Sequence, residues 1–123
     1  MKKLNKNAIT GCKGEIIAVD YLQKNGYTVV DKNWRFGHKE VDIIAVDKNT
    51  LVIVEVKTRR SDSGLTYEDV LPHSKQQYLI EAAEAYMEEK KIETELRFDL
   101  IFIYLQNDSH KLDHILNAFN AEI

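Results

Sequence analysis

At 123 residues and 14.3 kDa the chain has room for one domain, and 44% apolar with 30% charged residues excludes disordered and fibrous classes. A single cysteine, Cys12, excludes a disulfide-stapled scaffold. Met1-Lys2-Lys3-Leu4 starts like a leader, but no apolar stretch follows and no run approaches membrane-spanning length, so a cytoplasmic protein without a membrane partner is expected. The net charge of −3 argues against a generic basic nucleic-acid coat, yet it hides an asymmetry. Residues 1–60 hold 12 Lys/Arg against 7 Asp/Glu, and residues 61–123 hold 5 against 13. One face can therefore meet phosphate while the whole molecule stays acidic; chance scatter over a solvated surface would give the same totals.

The periodicities predict an αβββαβ order within a single domain, 1–123, with no repeat and no linker. Thr10 to Asn25 reads as a helix whose inward stripe is Ile9, Cys12, Ile16, Val19 and Leu22, stopped by Gly26, with Cys12 as a packed core thiol. Tyr27 to Arg35 reads as a strand. Glu40 to Val46 and Leu51 to Lys57 read as two more strands, joined by the turn composition Asp47-Lys48-Asn49-Thr50. Thr58 to Thr66 is polar and reads as a loop. Pro72 to Lys91 reads as a long helix with Leu79, Ala82, Ala83, Tyr86 and Met87 as its apolar stripe. Leu96 to Leu105 suits the interior of a sheet, and Leu112 to Phe119 fits strand or helix.

The hairpin carries the chemistry. Side chains alternate along a strand, so Leu51, Ile53, Glu55 and Lys57 share one face, as do Glu40, Asp42, Ile44 and Val46. A turn centred between Lys48 and Asn49 sets Asp42 opposite Glu55, and Glu40 opposite Lys57, with facing Cβ atoms about 4.5–5.5 Å apart. Two carboxylates so placed among Ile44 and Ile53 repel each other unless a proton, a cation or a metal holds them. Mg²⁺, which takes carboxylate oxygens and keeps several waters, does this best. Glu15 falls on the inward stripe of the first helix, where it either joins the pair or finds a lysine of its own. Lys57 can polarise a metal-bound water or balance charge on a phosphate, or simply pair with Glu40. Lys75 points inward at a helix N-terminus, where the dipole disfavours a cation unless an anion or the carboxylates offset it; solvation is its other reading.

Other motifs lead elsewhere or nowhere. His110 and His114 are four apart but lack a third zinc ligand nearby. No phosphate-binding glycine loop, nucleophile elbow or dinucleotide fingerprint is present. Trp34, Arg35 and Phe36 beside Lys32 form a candidate stacking clamp for a nucleic-acid backbone, with Trp34 equally suited to a core. Lys57-Thr58-Arg59-Arg60 is the densest basic run and follows the carboxylates directly.

Asp42 followed by Glu55-Val56-Lys57, inside an αβββαβ order, resembles the PD-(D/E)xK nuclease superfamily. From Gly11 to Phe119 the chain is similar to the YraN-like bacterial family of uncharacterised proteins. The matching stretches include Gly11-Cys12-Lys13-Gly14-Glu15, Asn33-Trp34-Arg35, Glu40-Val41-Asp42-Ile43-Ile44-Ala45, Val54-Glu55-Val56-Lys57-Thr58-Arg59, Lys75, Arg97-Phe98-Asp99 and Asn117-Ala118-Phe119. The resemblance implies a restriction-endonuclease-like α/β fold, a mixed central sheet flanked by helices. It also implies a nuclease site at Glu15, Asp42, Glu55 and Lys57, with Mg²⁺ (or Mn²⁺) held by the three carboxylates and the Val56 carbonyl. The expected activity is hydrolysis of phosphodiester bonds in structured or branched DNA, with Arg35, Arg59, Arg60 and Lys75 contacting nucleic acid and a homodimer as a candidate assembly. The alternative is a nucleic-acid-binding or recruitment module with little turnover. Val41 stands where the superfamily has proline, which suits a hairpin strand; Lys39 and Ser63 depart from the family in loops near the expected mouth.

Overall fold

The computed structural model describes the backbone of residues 6–60 and 67–121, in the order α1 (Lys6–Lys24), β1 (Thr28–Phe36), β2 (Lys39–Asp47), β3 (Thr50–Arg59), α2 (Tyr67–Val70), α3 (His73–Lys90), β4 (Glu95–Gln106) and β5 (Ser109–Phe119). This is an α/β fold consistent with a restriction-endonuclease-like αβββαβ core, extended by β5. The five strands lie in the order β1-β2-β3-β4-β5, antiparallel except for the parallel pair β3–β4. A parallel pair cannot be closed by a hairpin; the connection carrying α3 supplies the crossover. The tail that fitted strand or helix is the edge strand β5. The four-residue α2 was not foreseen, and Ser63, one of the two loop departures from the family, lies outside the described residues.

Helix ends follow local chemistry. At the end of α1 the Tyr27 N–H donates to Leu22 O (2.9 Å) and the Gly26 N–H to Gln23 O (3.2 Å), with Gly26 at φ +88°: a Schellman closure on the residue type that adopts it without strain. The end of α3 repeats the pattern, Ile92 N to Met87 O and Lys91 N to Glu88 O, with Lys91 at φ +55° in glycine's place.

The sheet separates two cores. On the α3 side Val41, Ile44, Leu51, Ile53, Phe98 and Leu100 pack against Leu79, Ala82, Ala83 and Tyr86. On the α1 side Ile43, Ala45, Val52, Val54, Ile101 and Ile103 pack against Ala18 and Leu22. Trp34 belongs to the α3 side, edge-on to Tyr86 at 5.1 Å between ring centroids, so its core reading is the one realised.

The inward face of α1 differs from the expected stripe. Thr10, Gly14, Ala18 and Leu22, each four residues from the last, are the buried positions, whereas Cys12 is exposed and Ile16 is 70% exposed. The cause is steric. A Cβ on Gly14 would stand 1.7 Å from Thr58 Oγ1, so the helix lies so close to β3 that only small residues fit between them. Apolar side chains are displaced to its flanks, and the core-thiol reading of Cys12 fails with them.

Candidate active site

The β2–β3 hairpin turns at Lys48 and Asn49, with Lys48 at φ +57°, and its register is the expected one: Asp47 faces Thr50 and Ile43 faces Val54. The pairing stops there. Instead of continuing to Asp42 opposite Glu55, the strands part, and the Val56 N–H donates to Asp42 Oδ2 at 2.8 Å. Glu40 consequently lies across from Arg35 in the β1–β2 ladder rather than opposite Lys57. The faces change here too: Val41 packs on the α3 side and Ile43 on the α1 side, so alternation breaks at Asp42. On β1, Asn33 adopts φ +51°, a conformation asparagine tolerates better than most residues. The fork thus sets the Asp42 carboxylate between the two faces of the sheet.

Glu55, on the α3 face of β3, is 5% exposed. Burial, together with the charge and hydrogen bonding of Asp42, pushes its carboxyl up to about 8, against the pull of Lys75. Lys75, from the first turn of α3, forms an ion pair with Glu55 Oε2 and meets the anion that its position calls for. Lys57 lies near Lys75, Arg59 and both carboxylates; burial and the two cations lower its ammonium, while Glu55 and Asp42 oppose them.

Glu15 is half-buried on the flank of α1. Burial and then Asp42 raise its carboxyl, against a hydrogen bond with Asn33. It stands on the wall between two openings. One, about 710 Å³, runs between the start of α1 and the end of β3 and is lined by Thr10, Glu15, Val56, Lys57, Arg59 and Arg60. The other, about 460 Å³, lies between α1 and β1 beside Ile16, Val19 and Asn33. Arg60 is anchored at the first mouth, its Nε donating to Thr10 Oγ1 at 3.0 Å. Arg35 is exposed on β1. The structure therefore brings Asp42, Glu55, Lys57 and Lys75 together, with Glu15 beside Asp42. Among the described residues, no three His, Cys, Asp or Glu side chains group closely enough to hold a metal ion by themselves.

A family model described as "Uncharacterised protein family UPF0102" matches residues 14–103, which include Glu15, Asp42, Glu55 and Lys57. The chain belongs to the UPF0102 family. It is similar to UPF0102 proteins of Flavobacterium psychrophilum (41% identity; 86% of this chain and 89% of the relative), Bacteroides thetaiotaomicron (42%; 89% and 90%) and Caldanaerobacter subterraneus subsp. tengcongensis (44%; 97% and 100%). No helix of this UPF0102 chain, among the described residues, is long and apolar enough to cross a membrane.

A second polar centre in this UPF0102 chain gathers residues for which the sequence offered no shared site. Asp99 of β4 is 1% exposed. Its Oδ1 accepts Arg97 Nε at 2.9 Å and the Asn117 N–H at 3.0 Å; its Oδ2 accepts Arg97 Nη2 at 3.0 Å and meets His114 Nε2 at 2.7 Å. Burial alone would raise this carboxyl, but the hydrogen bonds from His114, Arg97 and Asn117 hold it below its ordinary value. Arg97 reaches on to Tyr27 Oη (2.6 Å) and Asp47 Oδ2 (3.1 Å), and Tyr21 Oη meets His114 Nδ1 at 3.0 Å. Both ring nitrogens of His114 are thus engaged, so the His110/His114 spacing does not describe a free pair of ligands. The overlooked signal was Arg97 and Asp99, two opposite charges at i and i+2 on one face of an otherwise apolar strand.

Proposed function

We propose that this chain is a metal-dependent phosphodiesterase that cuts DNA, with structured or branched DNA as its substrate class. The observation that carries the reading is the Asp42–Glu55 pair, one of them buried, at a forked strand end with Lys57 and Lys75 against it. Structural carboxylates are buried with close partners that match their charge; the buried Glu55 instead faces a second carboxylate and meets one half-exposed lysine. The donor set fits Mg²⁺ or Mn²⁺, which is held by one or two carboxylates and completes its sphere with waters and substrate phosphate. Asp42 and Glu55 would hold the metal, with the Val56 carbonyl as a backbone donor and Glu15 acting from the flank. When bound, a divalent cation supplies Lewis-acid polarisation of the phosphoryl group and of an attacking water.

The chain's own residues supply the rest. Lys57 orients the water and balances charge that develops on the phosphoryl oxygens. Arg59 and Arg60 hold neighbouring phosphates at the mouth of the larger cleft, and Arg35 extends the basic path along β1. Arg60 begins with an advantage, since its bond to Thr10 already fixes the guanidinium. A nucleic-acid substrate agrees with a cytoplasmic location, and a homodimer would present two such sites to a branched junction.

The test is incubation of the Mg²⁺-loaded protein with labelled linear, flapped and four-way-junction DNA. Lys57→Ala is expected to keep metal and DNA binding while cleavage falls roughly 10²–10³-fold, as for loss of an electrostatic stabiliser. Glu55→Gln is expected to lose metal binding and cleavage together. A wild-type protein that binds Mg²⁺ and DNA yet cuts none of these substrates would overturn the reading in favour of a binding module. Equal cleavage by all three proteins would identify a contaminating nuclease.

A further inference from the structure

Lys75 does not stabilise its own helix. It lies in the first turn of α3, whose N-cap, Pro72, makes no side-chain capping bond, and a cation there opposes the helix dipole. Its partner explains its position. The Glu55 side chain is 6% exposed and fixed in a strand, whereas the Lys75 side chain is 41% exposed on a flexible stem. If the ion pair opens, only the lysine can move into water. A divalent cation also brings to the Asp42–Glu55 pair twice the charge of the ammonium that pairs with Glu55.

We propose that Lys75 is the resident counter-ion of the carboxylate pair, that a divalent cation displaces it from Glu55, and that the released ammonium then contacts a nucleic-acid phosphate. This rests on the metal-site reading above and adds an order of events: metal first, then one further cation on the substrate. The destination of the ammonium follows from its surroundings. Lys75 is close enough to Lys57 for the two to repel, and Lys57 lines the basic cleft with Arg59 and Arg60. Once Glu55 is taken, the remaining neighbours favour an anion between these cations. The side chain thus serves as a substrate-contacting group whose partner depends on metal loading.

The experiment compares wild type, Lys75→Met and Lys75→Arg in two measurements that need no turnover. In calorimetric titration with Mg²⁺ alone, Lys75→Met is expected to bind several-fold more tightly than wild type, because no cation has to be displaced, while Lys75→Arg stays near wild type. DNA binding is then measured against salt in a Lys57→Ala background, in which cleavage is slowed roughly 10²–10³-fold. With Mg²⁺ present, the slope of log K against log[salt] should be steeper by about 0.9, the value of one phosphate contact, with Lys75 than with Met in its place, and without Mg²⁺ the two slopes should agree. Equal Mg²⁺ affinity in wild type and Lys75→Met overturns the proposal while leaving the metal site standing. So do equal slopes with Lys75 and with Met in the presence of Mg²⁺. A wild-type protein that does not bind Mg²⁺ at all overturns both.

Discussion

Among the described residues two carboxylates are buried, and their surroundings are opposite. Asp99 lies on the α1 side of the sheet, where Arg97, His114 and the Asn117 N–H hold it below its ordinary pKa despite complete burial. Glu55 lies on the α3 side, where its close neighbours are another carboxylate and one half-exposed lysine, and its carboxyl rises to about 8. Burial alone therefore does not distinguish a working carboxylate from a structural one. Completeness of its compensation does: Asp99 has its partners within the fold, and Glu55 is left with a need that a ligand can meet.

The largest effect expected from this comparison is at Asp99. Asp99→Ala leaves Arg97 half-buried with one carboxylate partner, Asp47, and frees the backbone N–H of Asn117. The Asn117 N–H faces Asp99 because the β4–β5 register slips between Phe98 and Leu100, so no ladder carbonyl stands in for the lost oxygen. Breaking such a centre costs about 3–5 kcal/mol, read as a lowered denaturant midpoint. A loss below about 1 kcal/mol would mean that the two centres differ less than their contacts imply.

Glu55→Gln should behave in the other direction. With the folded carboxyl at about 8 against an ordinary value of 4.5, the folded state keeps its proton where the unfolded state loses it. The stability this supplies to wild type is fully present below pH 4.5 and is lost as pH rises through about 8, because the folded state binds more protons across that window. Glutamine keeps the shape and has no proton to lose. The metal-free variant should therefore lack that decline, a difference on the order of 4 kcal/mol between pH 5 and pH 9. Denaturant titrations across this range, with chelator present, measure it. Parallel pH profiles would show that Glu55 is as well compensated as Asp99.

The sequence revealed Glu55 more readily than Asp99, for physical reasons. Strand alternation and a two-residue turn fix register, so the meeting of Asp42 and Glu55 followed from counting. Their parting beyond Ile43 did not, because it depends on Asp42 replacing a ladder partner for the Val56 N–H, which is not a periodic signal. On α1, hydrophobic spacing favours Cys12 and Ile16 for the inward face, while the approach of Thr58 admits only Gly14 and other small residues there. Glu15, assigned to the wrong stripe, still stands beside Asp42. The Asp99 centre joins α1, β2, β4 and β5 through residues 15 to 93 positions apart, apart from the neighbouring Arg97, and no local pattern encodes such distances.

The smallest expected effect tests how far the compensation of Asp99 extends. Tyr21 does not touch Asp99; it meets His114 Nδ1 at 3.0 Å, and its ring stands edge-on to the imidazole at 5.4 Å between centroids. Tyr21→Phe keeps the ring contact and removes the hydroxyl, so it isolates one hydrogen bond. Its cost should be about 1 kcal/mol, the usual value for one such bond, and it should raise no cavity penalty. If the network holds Asp99 as a unit, the loss should be coupled: in the Asp99→Asn background Tyr21→Phe should cost less than in wild type, because His114 no longer has a carboxylate to be oriented toward. Urea titrations of the two single variants and the double variant measure that coupling. Strictly additive losses would make Tyr21 an independent contact, and would confine the compensation of Asp99 to Arg97, His114 and the Asn117 N–H.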